Sequence, residues 1–388
     1  MASAWPCACM RALLATVVLS CVGCGARTGL SDVATDEPLP HRVSIFAGPY
    51  GACALRDGEL FCWGKNAYGE IGDGSTTTRA RPTKVVLPGV VIDVHVGLNY
   101  TCALLESGIP MCWGGLHLDD GSDLVNPSPE PVPAAGDGAW LSSGTGQFGC
   151  MGGSAGAVAC WGNAADFYGL KNAQPSLSLA ARVVPGAQGA VAIASGDRHA
   201  CLLTASGGIE CAGANDEGQL GDGKPTSARD YAPVTLSTRA LQVSAAGRRT
   251  CARTLFGLQC WGRGVSPVNE FEAHATPFLI DGLGSPDSLA FVSVGRRRIC
   301  VLRTNGDVLC WGSNAFGGLG DGTTTDHEGP TLVHGLPRAT QIATGDDFTC
   351  ADTVDGLFCW GDGSFGQLAS GDAGVGVGSL TPVRVRIP

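Results

Sequence analysis

Charge is scarce in this chain. Only 15% of its 388 residues are Asp, Glu, Lys or Arg, and positive charge is the scarcer sign, with 25 basic against 35 acidic residues and a net charge of −10. A protein that lived by phosphate contacts would carry the opposite balance, so nucleic acid is not an expected partner. Long hydrophobic runs are also missing: the apolar stretch at residues 12–19 is too short to cross a bilayer as a helix. No Walker-type phosphate loop occurs, and His41, His95, His117, His199, His274, His327 and His334 neither cluster nor repeat as ligands or catalytic bases would. No cofactor and no enzymatic activity is expected. Glycine (59) and proline (22) are plentiful, but nowhere dense enough for collagen or a disordered tract, which leaves short strands joined by tight turns.

Cysteine is abundant and ordered. Fourteen of the 18 fall into seven pairs: Cys53 with Cys62, Cys102 with Cys112, Cys150 with Cys160, Cys201 with Cys211, Cys251 with Cys260, Cys300 with Cys310, and Cys350 with Cys359. Successive first members lie 48 to 51 residues apart. A fixed period of this size marks a repeat array or propeller. Between the cysteines, Gly108, Gly156, Gly207 and Gly306 each end a three-residue loop, and Asp57-Gly58 forms a two-residue one. Counting outward from either loop places the two cysteines directly opposite at the fourth cross-strand pair, a non-hydrogen-bonded position where side chains approach closely. A disulfide across each hairpin is therefore geometrically reasonable. Gly257 and Gly356 are shifted, which leaves those two loop types open. Zinc knuckles use cysteines two to four apart, so these pairs do not read as metal ligands.

The N-terminus reads as a bacterial secretory signal, with Arg11 before the apolar run and small residues before Cys21 and Cys24. Met10 is an alternative start. Either cysteine could be the lipid-modified residue of a lipoprotein, and parity favours Cys24: removing residues 1–23 takes away Cys7, Cys9 and Cys21 and leaves every thiol beyond Cys24 in a pair. The expectation is a signal at 1–23, a polar tether at 24–40 and a folded body at 41–388, exported and held at the outer membrane or cell surface by the lipid. Ordinary cleavage to a soluble secreted protein is the alternative. Export also makes disulfides the natural state of the pairs.

Residues 300–322 read Cys-Val-Leu-Arg-Thr-Asn-Gly-Asp-Val-Leu-Cys-Trp-Gly-Ser-Asn-Ala-Phe-Gly-Gly-Leu-Gly-Asp-Gly, and shorter versions recur at 62–74, 218–223 and 359–368. This resembles the regulator of chromosome condensation (RCC1) repeat, also known in bacteria as BNR-type, over roughly residues 41–388. The resemblance implies an all-β, seven-bladed propeller with one disulfide hairpin per blade. Repeat four departs from it with Ala212 in place of tryptophan, repeat two lacks the glutamine-leucine element, and repeat five lacks it after Gly262. The Thr381-Pro382-Val383 segment is expected to join the first blade and close the ring. Trp63, Trp113, Trp161, Trp261, Trp311 and Trp360 are expected in blade cores, and Asp73, Asp222 and Asp321 in structural turns.

The variable segment between each repeat's glycine and its first cysteine should emerge on one face of a propeller. It holds Pro49 and Tyr50; Leu98, Asn99 and Tyr100; Gln147 and Phe148; Asp197, Arg198 and His199; Arg248 and Arg249; Arg296, Arg297 and Arg298; and Asp346, Asp347 and Phe348. Arginine beside aromatic residues is the chemistry of protein-binding hot spots. Tyr50, Tyr100, Arg198, Arg248, Arg249, Arg296, Arg297, Arg298, Asp346 and Asp347 are the expected binding residues, led by Arg296–Arg298 because three adjacent cations are costly to bury. In the family the residue two before the cysteine is commonly packed, so Tyr100, Phe148, His199 and Phe348 are expected to be partly covered. The expected function is a monomeric, surface-anchored, non-enzymatic module for a protein or glycan ligand. An enzyme inhibitor of the β-lactamase-inhibitor propeller type is one alternative. The other is a glycan-active hydrolase using Asp346 and Asp347, which would require a further acidic residue close by in a pocket.

Overall fold

Each cysteine pair does lie across a hairpin. In the computed structural model Cys53 is bonded to Cys62, Cys102 to Cys112, Cys150 to Cys160, and Cys201 to Cys211. Likewise Cys251 is bonded to Cys260, Cys300 to Cys310, and Cys350 to Cys359. The members of all seven disulfides are directly opposed in the ladder, with Cα separations of 4.0 to 4.2 Å. Gly108, Gly156, Gly207 and Gly306 take the positive φ (75° to 92°) that their loops require. The open cases resolve as two-residue loops: Thr254 pairs with Gly257 and Thr353 with Gly356, and each threonine hydroxyl donates to that glycine's carbonyl. The structure describes residues 43–388 except 118–122, 134–136, 146–147, 154–155, 163–177, 185, 225, 227, 265–271, 372 and 375–376. The expected signal, anchor and tether, with Cys21 and Cys24, lie outside the described residues, as does Gln147.

Every hairpin is the middle of a four-stranded antiparallel sheet, and seven such sheets form the blades of a propeller. Blade one spans residues 43–85, followed by 91–131, 138–183, 190–233, 240–279, 289–332 and 339–384. The first strands (Val43–Ala47, Val91–Val96, Gly138–Leu141, Ala190–Ser195, Ala240–Ala246, Leu289–Val294 and Ala339–Thr344) ring the axis, each packing against neighbouring first strands. Outer strands are far more exposed, as in Ala273–Leu279. Blade three adds a short strand, Ser143–Gly144, which pairs in parallel with Ala194 and Ser195 of blade four.

Ring closure differs from expectation. The last strand, Gly378–Arg384, pairs with Gly356–Asp362 of its own blade, and blade one is completed by its own Val43–Ala47 and Arg79–Val85. The Pro-Val segment is the outer strand of the hairpin that precedes it, so no vacant place exists in blade one. Blades seven and one instead meet by packing. Ile45, Trp63, Phe348, Leu357, Leu368 and Val385 share one core, and Gln341 donates to the Ile45 carbonyl (3.1 Å) while accepting from the Ile45 amide (3.0 Å).

A second tie recurs between blades. The indole Nε1 of Trp113 donates to Glu70 O (2.8 Å), of Trp261 to Gln219 O (2.8 Å), of Trp360 to Gly318 O (2.9 Å) and of Trp63 to Gln367 O (2.7 Å). Each acceptor lies in the Gly-x-Leu/Ile element of the preceding blade. That element is shaped by an asparagine: Asn66, Asn215 and Asn314 each accept from the backbone five residues on. The aspartates are spent in the following turn, where Asp73 accepts from Ser75 and pairs with Arg79, Asp222 accepts from Asn215 and Lys224, and Asp321 accepts from Asn314, Thr323 and His327. These are the structural turns expected from the motif.

Candidate functional site

The loop from first to second strand and the loop leaving the third strand emerge at the same end of every antiparallel blade. They are locked together by one repeated hydrogen bond. In six blades the residue after Cys-Trp-Gly, or Cys-Ala-Gly, donates its N–H to a first-loop carbonyl: Lys65 to Tyr50, Gly115 to Asn99, Ala214 to Arg198, Arg263 to Arg248, Ser313 to Arg297 and Asp362 to Asp347, at 2.7 to 3.0 Å. The glycine before each donor has φ of 91° to 115°, and a Cβ at Gly262 or Gly312 would lie 2.3 Å from the accepting carbonyl. Side chains at both positions therefore face the same end of the axis.

There the loops of several blades converge. Arg296 of blade six binds Asp197 of blade four (2.8 Å) and reaches Asp346 of blade seven (3.7 Å). Thr145 of blade three donates to Asp197 (3.1 Å) and accepts from the Gly247 amide of blade five (2.9 Å), while the Asp346 amide donates to Pro49 O of blade one (3.2 Å). Beside this knot opens a cavity of about 590 Å³ lined by Arg248, Arg249, Arg263, Arg296, Arg297, Asp197, Gly247 and Ser313. Glu217 holds two of these cations, Arg248 at 2.8 Å and Arg263 at 2.9 Å, with Asp216 at 3.8 Å from Arg248.

The expected binding residues divide by register. Arg198, Arg248 and Arg297 are exposed, and Tyr50, Arg296 and Asp347 are partly so. Tyr100, Arg249 and Arg298, two residues before their cysteines, are buried beside Phe148, His199 and Phe348 at the same position. Tyr100 donates or accepts at His95 Nε2 (2.8 Å) in the core. Arg298 corrects the expectation that three adjacent cations stay at the surface. It is fully buried and pairs with Asp347 at 3.3 Å. Burial lowers its pKa to about 10, partly offset by Asp347, so it stays charged at neutral pH. Its place is legible in the chain: blade six has Gly318 where other blades have Glu70, Gln219 and Gln367, and a Cβ there would fall 1.2 Å from the guanidinium Nη1. Sequence reasoning misses Arg263 and Thr145, although Arg263 occupies the position after Cys-Trp-Gly that Lys65 holds in blade one.

Aromatic residues stand on the same face on blades one, six and seven. Tyr50 packs edge-on against Phe365 (5.7 Å between centroids), and Lys65 Nζ lies over the rings of Tyr50 (5.3 Å) and Tyr68 (5.0 Å). Phe316 and Phe365, which precede the glycine of their elements as Tyr68 does, are exposed.

Asp346 does have an acidic neighbour, Asp197, but Arg296 stands between them as the shared partner. Burial raises the Asp346 pKa to about 6, with Arg296 opposing, and only 6% of the residue is exposed. The two carboxylates hold a guanidinium rather than facing open space, an arrangement for positioning a cation and not for the paired acid and base of glycoside hydrolysis.

Sequence comparison finds two models of the regulator of chromosome condensation (RCC1) repeat, one at residues 57–104 and 305–351 and the other at 190–219, 290–317 and 339–367. The chain is 27% identical over 374 residues to the ultraviolet-B receptor UVR8 of Arabidopsis thaliana, covering 92% of this chain and 73% of the receptor. It is 32% identical over 186 residues to the human E3 ubiquitin-protein ligase HERC2, covering 45% of this chain and only 4% of the ligase. Among solved structures, human WBSCR16 matches with a TM-score of 0.73 at 21% identity, covering 85% of this chain and 95% of that one. Prp20p of Saccharomyces cerevisiae, described with its binding to Gsp1p and histones, matches with a TM-score of 0.71 at 20% identity, covering 80% and 82%. Recurring tryptophan ties, seven disulfide hairpins and matched repeats together make this chain a seven-bladed β-propeller that carries RCC1 repeats.

Proposed function

We propose that this protein is a non-enzymatic binding module that presents the face formed by its first-strand loops to a partner protein. The observation that carries the reading is the convergence of unlike loops from six blades on one axial opening, with arginines and exposed aromatics on adjoining blades of that face. Rigid strands hold these loops, which is where binding residues concentrate on a scaffold. Binding of Gsp1p and histones by Prp20p, a propeller of the same fold, supports a protein as the partner. A glycan is less well matched, because the opening is walled by guanidinium groups rather than by a stacking platform with free carboxylates.

Export completes the proposal. Seven disulfides, one per blade, suit an oxidising compartment, and cysteine parity assigns Cys24 as the lipid-bearing residue. Radiolabelled palmitate should enter the protein and be lost in Cys24→Ser; label that persists moves the anchor to Cys21.

The binding face is tested with a photo-crosslinking amino acid placed at Arg198 on the first-loop face or at Phe256 on a hairpin at the opposite end, in cells producing the full chain. Adducts with one discrete protein from position 198 alone are expected. Adducts from position 256 alone, or from neither, would overturn the reading.

A further inference from the structure

Five arginines meet at one opening on a molecule whose net charge is −10. Four of them are accounted for. Arg248 and Arg263 are held by Glu217, Arg296 by Asp197 and Asp346, and Arg249 is buried in the wall. Arg297 differs: it is exposed, and among the described residues its guanidinium makes no ion pair and no hydrogen bond. Its backbone is nevertheless fixed, since its carbonyl accepts from the Ser313 amide (3.0 Å). A guanidinium carried by a fixed backbone at the wall of a concave site offers a planar fork that matches a carboxylate in two parallel hydrogen bonds. The cavity volume of about 590 Å³ lies in the range of built ligand sites.

Resting on the binding reading above, we infer that the axial cavity seats an acidic side chain of the partner protein, with Arg297 as the residue that grips it. Arg248, Arg263 and Arg296 supply the surrounding positive field while their own carboxylate partners hold them in place. The rim decides between a protein and a polyanion. Asp197 lines the opening, and Asp216 and Glu217 stand beside Arg248. They would repel a continuous phosphate chain running past the opening, yet leave a single inserted carboxylate in contact with cations. Next to the cluster is a place for the neighbouring side chain: the Asp346 amide binds Pro49 O, which sets Tyr50 and its ring partner Phe365 beside it.

The test measures binding of fluorescein-labelled hexaglutamate to the disulfide-intact full chain by fluorescence anisotropy, with hexaglutamine, a thymidine oligonucleotide and inorganic phosphate as comparison probes. Hexaglutamate should bind, weaken as salt is raised, and lose about tenfold or more in affinity with Arg297→Ala, as expected for a charge-assisted hydrogen bond. Arg297→Lys should fall between the two. Leu255→Ala, on the opposite end, should bind as the parent does. Equal binding of hexaglutamine, indifference to Arg297→Ala, tighter binding of the oligonucleotide, or displacement of the peptide by phosphate at equal concentration would each overturn the inference. Arg297 is exposed, so its variants should keep the parent's thermal transition. Crosslinking from position 198 that persists alongside a failed peptide test would leave the partner reading intact and remove only the acidic specificity.

Discussion

Two kinds of seam hold this ring together. At the seams between blades one and two, four and five, six and seven, and seven and one, a buried tryptophan of the later blade donates to a carbonyl of the earlier one. In the first three of these a threonine just before the cysteine (Thr101, Thr250, Thr349) donates to the same oxygen. The other three seams follow blades two and five, which lack the Gly-x-Leu element, and blade three, whose sequence reads Gly169-Leu170 with no residue between. There the buried indole nitrogens of Trp161 and Trp311 have no hydrogen-bond partner among the described residues, and blade four has Ala212 instead of tryptophan. The Gly-x-Leu element thus serves the following blade, and its loss in one repeat shows as an orphaned or missing tryptophan in the next. The untied seams are held closer to the axis. Gln242 exchanges two hydrogen bonds with Val292 (2.8 and 2.9 Å), Asp93 accepts from the Leu141 amide (2.7 Å), and Ser143–Gly144 pairs with the first strand of blade four.

The largest effect should come from a tied seam. Arg298 and Asp347 join blades six and seven, and removing Asp347 leaves a fully buried cation without its ion-pair partner. Asp347→Ala should cost about 3 kcal/mol or more in urea unfolding with disulfides intact. Adding Arg298→Met should recover most of that loss, because the buried charge goes with its partner. A single variant within about 0.5 kcal/mol of the parent would mean that tertiary ties at this seam do not depend on the pair.

An untied seam supplies the next. Asp93 reaches across its seam from the position that Gln242 and Gln341 hold at theirs, but only as an acceptor, and burial raises its pKa to about 6, against the hydrogen bonds from Leu141 and Val94. The folded protein therefore holds this proton more tightly than the unfolded chain. Its contribution is full below the ordinary carboxylate pKa and is lost as pH rises through about 6. Buried His95 and His199, both lowered to about 4, act in the opposite direction, gaining stability as pH rises from about 4 towards their ordinary pKa near 6.5. The informative quantity is thus the parent's stability minus that of Asp93→Asn. The difference should fall by about 2 kcal/mol between pH 4 and 6 and then level off, on top of a constant cost to the Asn variant of turning an NH2 group towards one of the two amides that Asp93 accepts from. A flat difference would show that Asp93 is not strained at its seam.

What is legible in the chain follows from local periodicity. Cysteines nine or ten apart around a turn, as Cys102 and Cys112 are around Gly108, face each other across a hairpin, so the blades and their disulfides can be read directly. Closure is misread because a Pro-Val strand carries no mark of whether it belongs to the hairpin before it or the one after. The binding ring is half legible. Counting from the cysteine places all its loops on one face, but charge is a poor guide to Arg298 beside its position two before Cys300, where Tyr100, His199 and Phe348 all turn inward in their own blades. Gly318 gives it away, through a contact between two separate loops of blade six. Arg263 escapes notice for a similar reason, since it enters the cavity from the far side of the hairpin.

The smallest expected effect tests the seams most directly. Trp261 and Trp311 occupy the same position in adjacent blades and are both buried, but only Trp261 has an acceptor, at 2.8 Å. Replacing either with phenylalanine removes similar apolar contact, so that cost cancels in the comparison. Trp261→Phe also loses a hydrogen bond worth about 1 kcal/mol, whereas Trp311→Phe discards a buried donor that had no partner and recovers part of its desolvation cost. Trp261→Phe should therefore be the more destabilising of the two by about 1 to 2 kcal/mol in urea unfolding. Equal costs would mean that the indole tie contributes nothing beyond packing, and that the four seams carrying it are no stronger for having it.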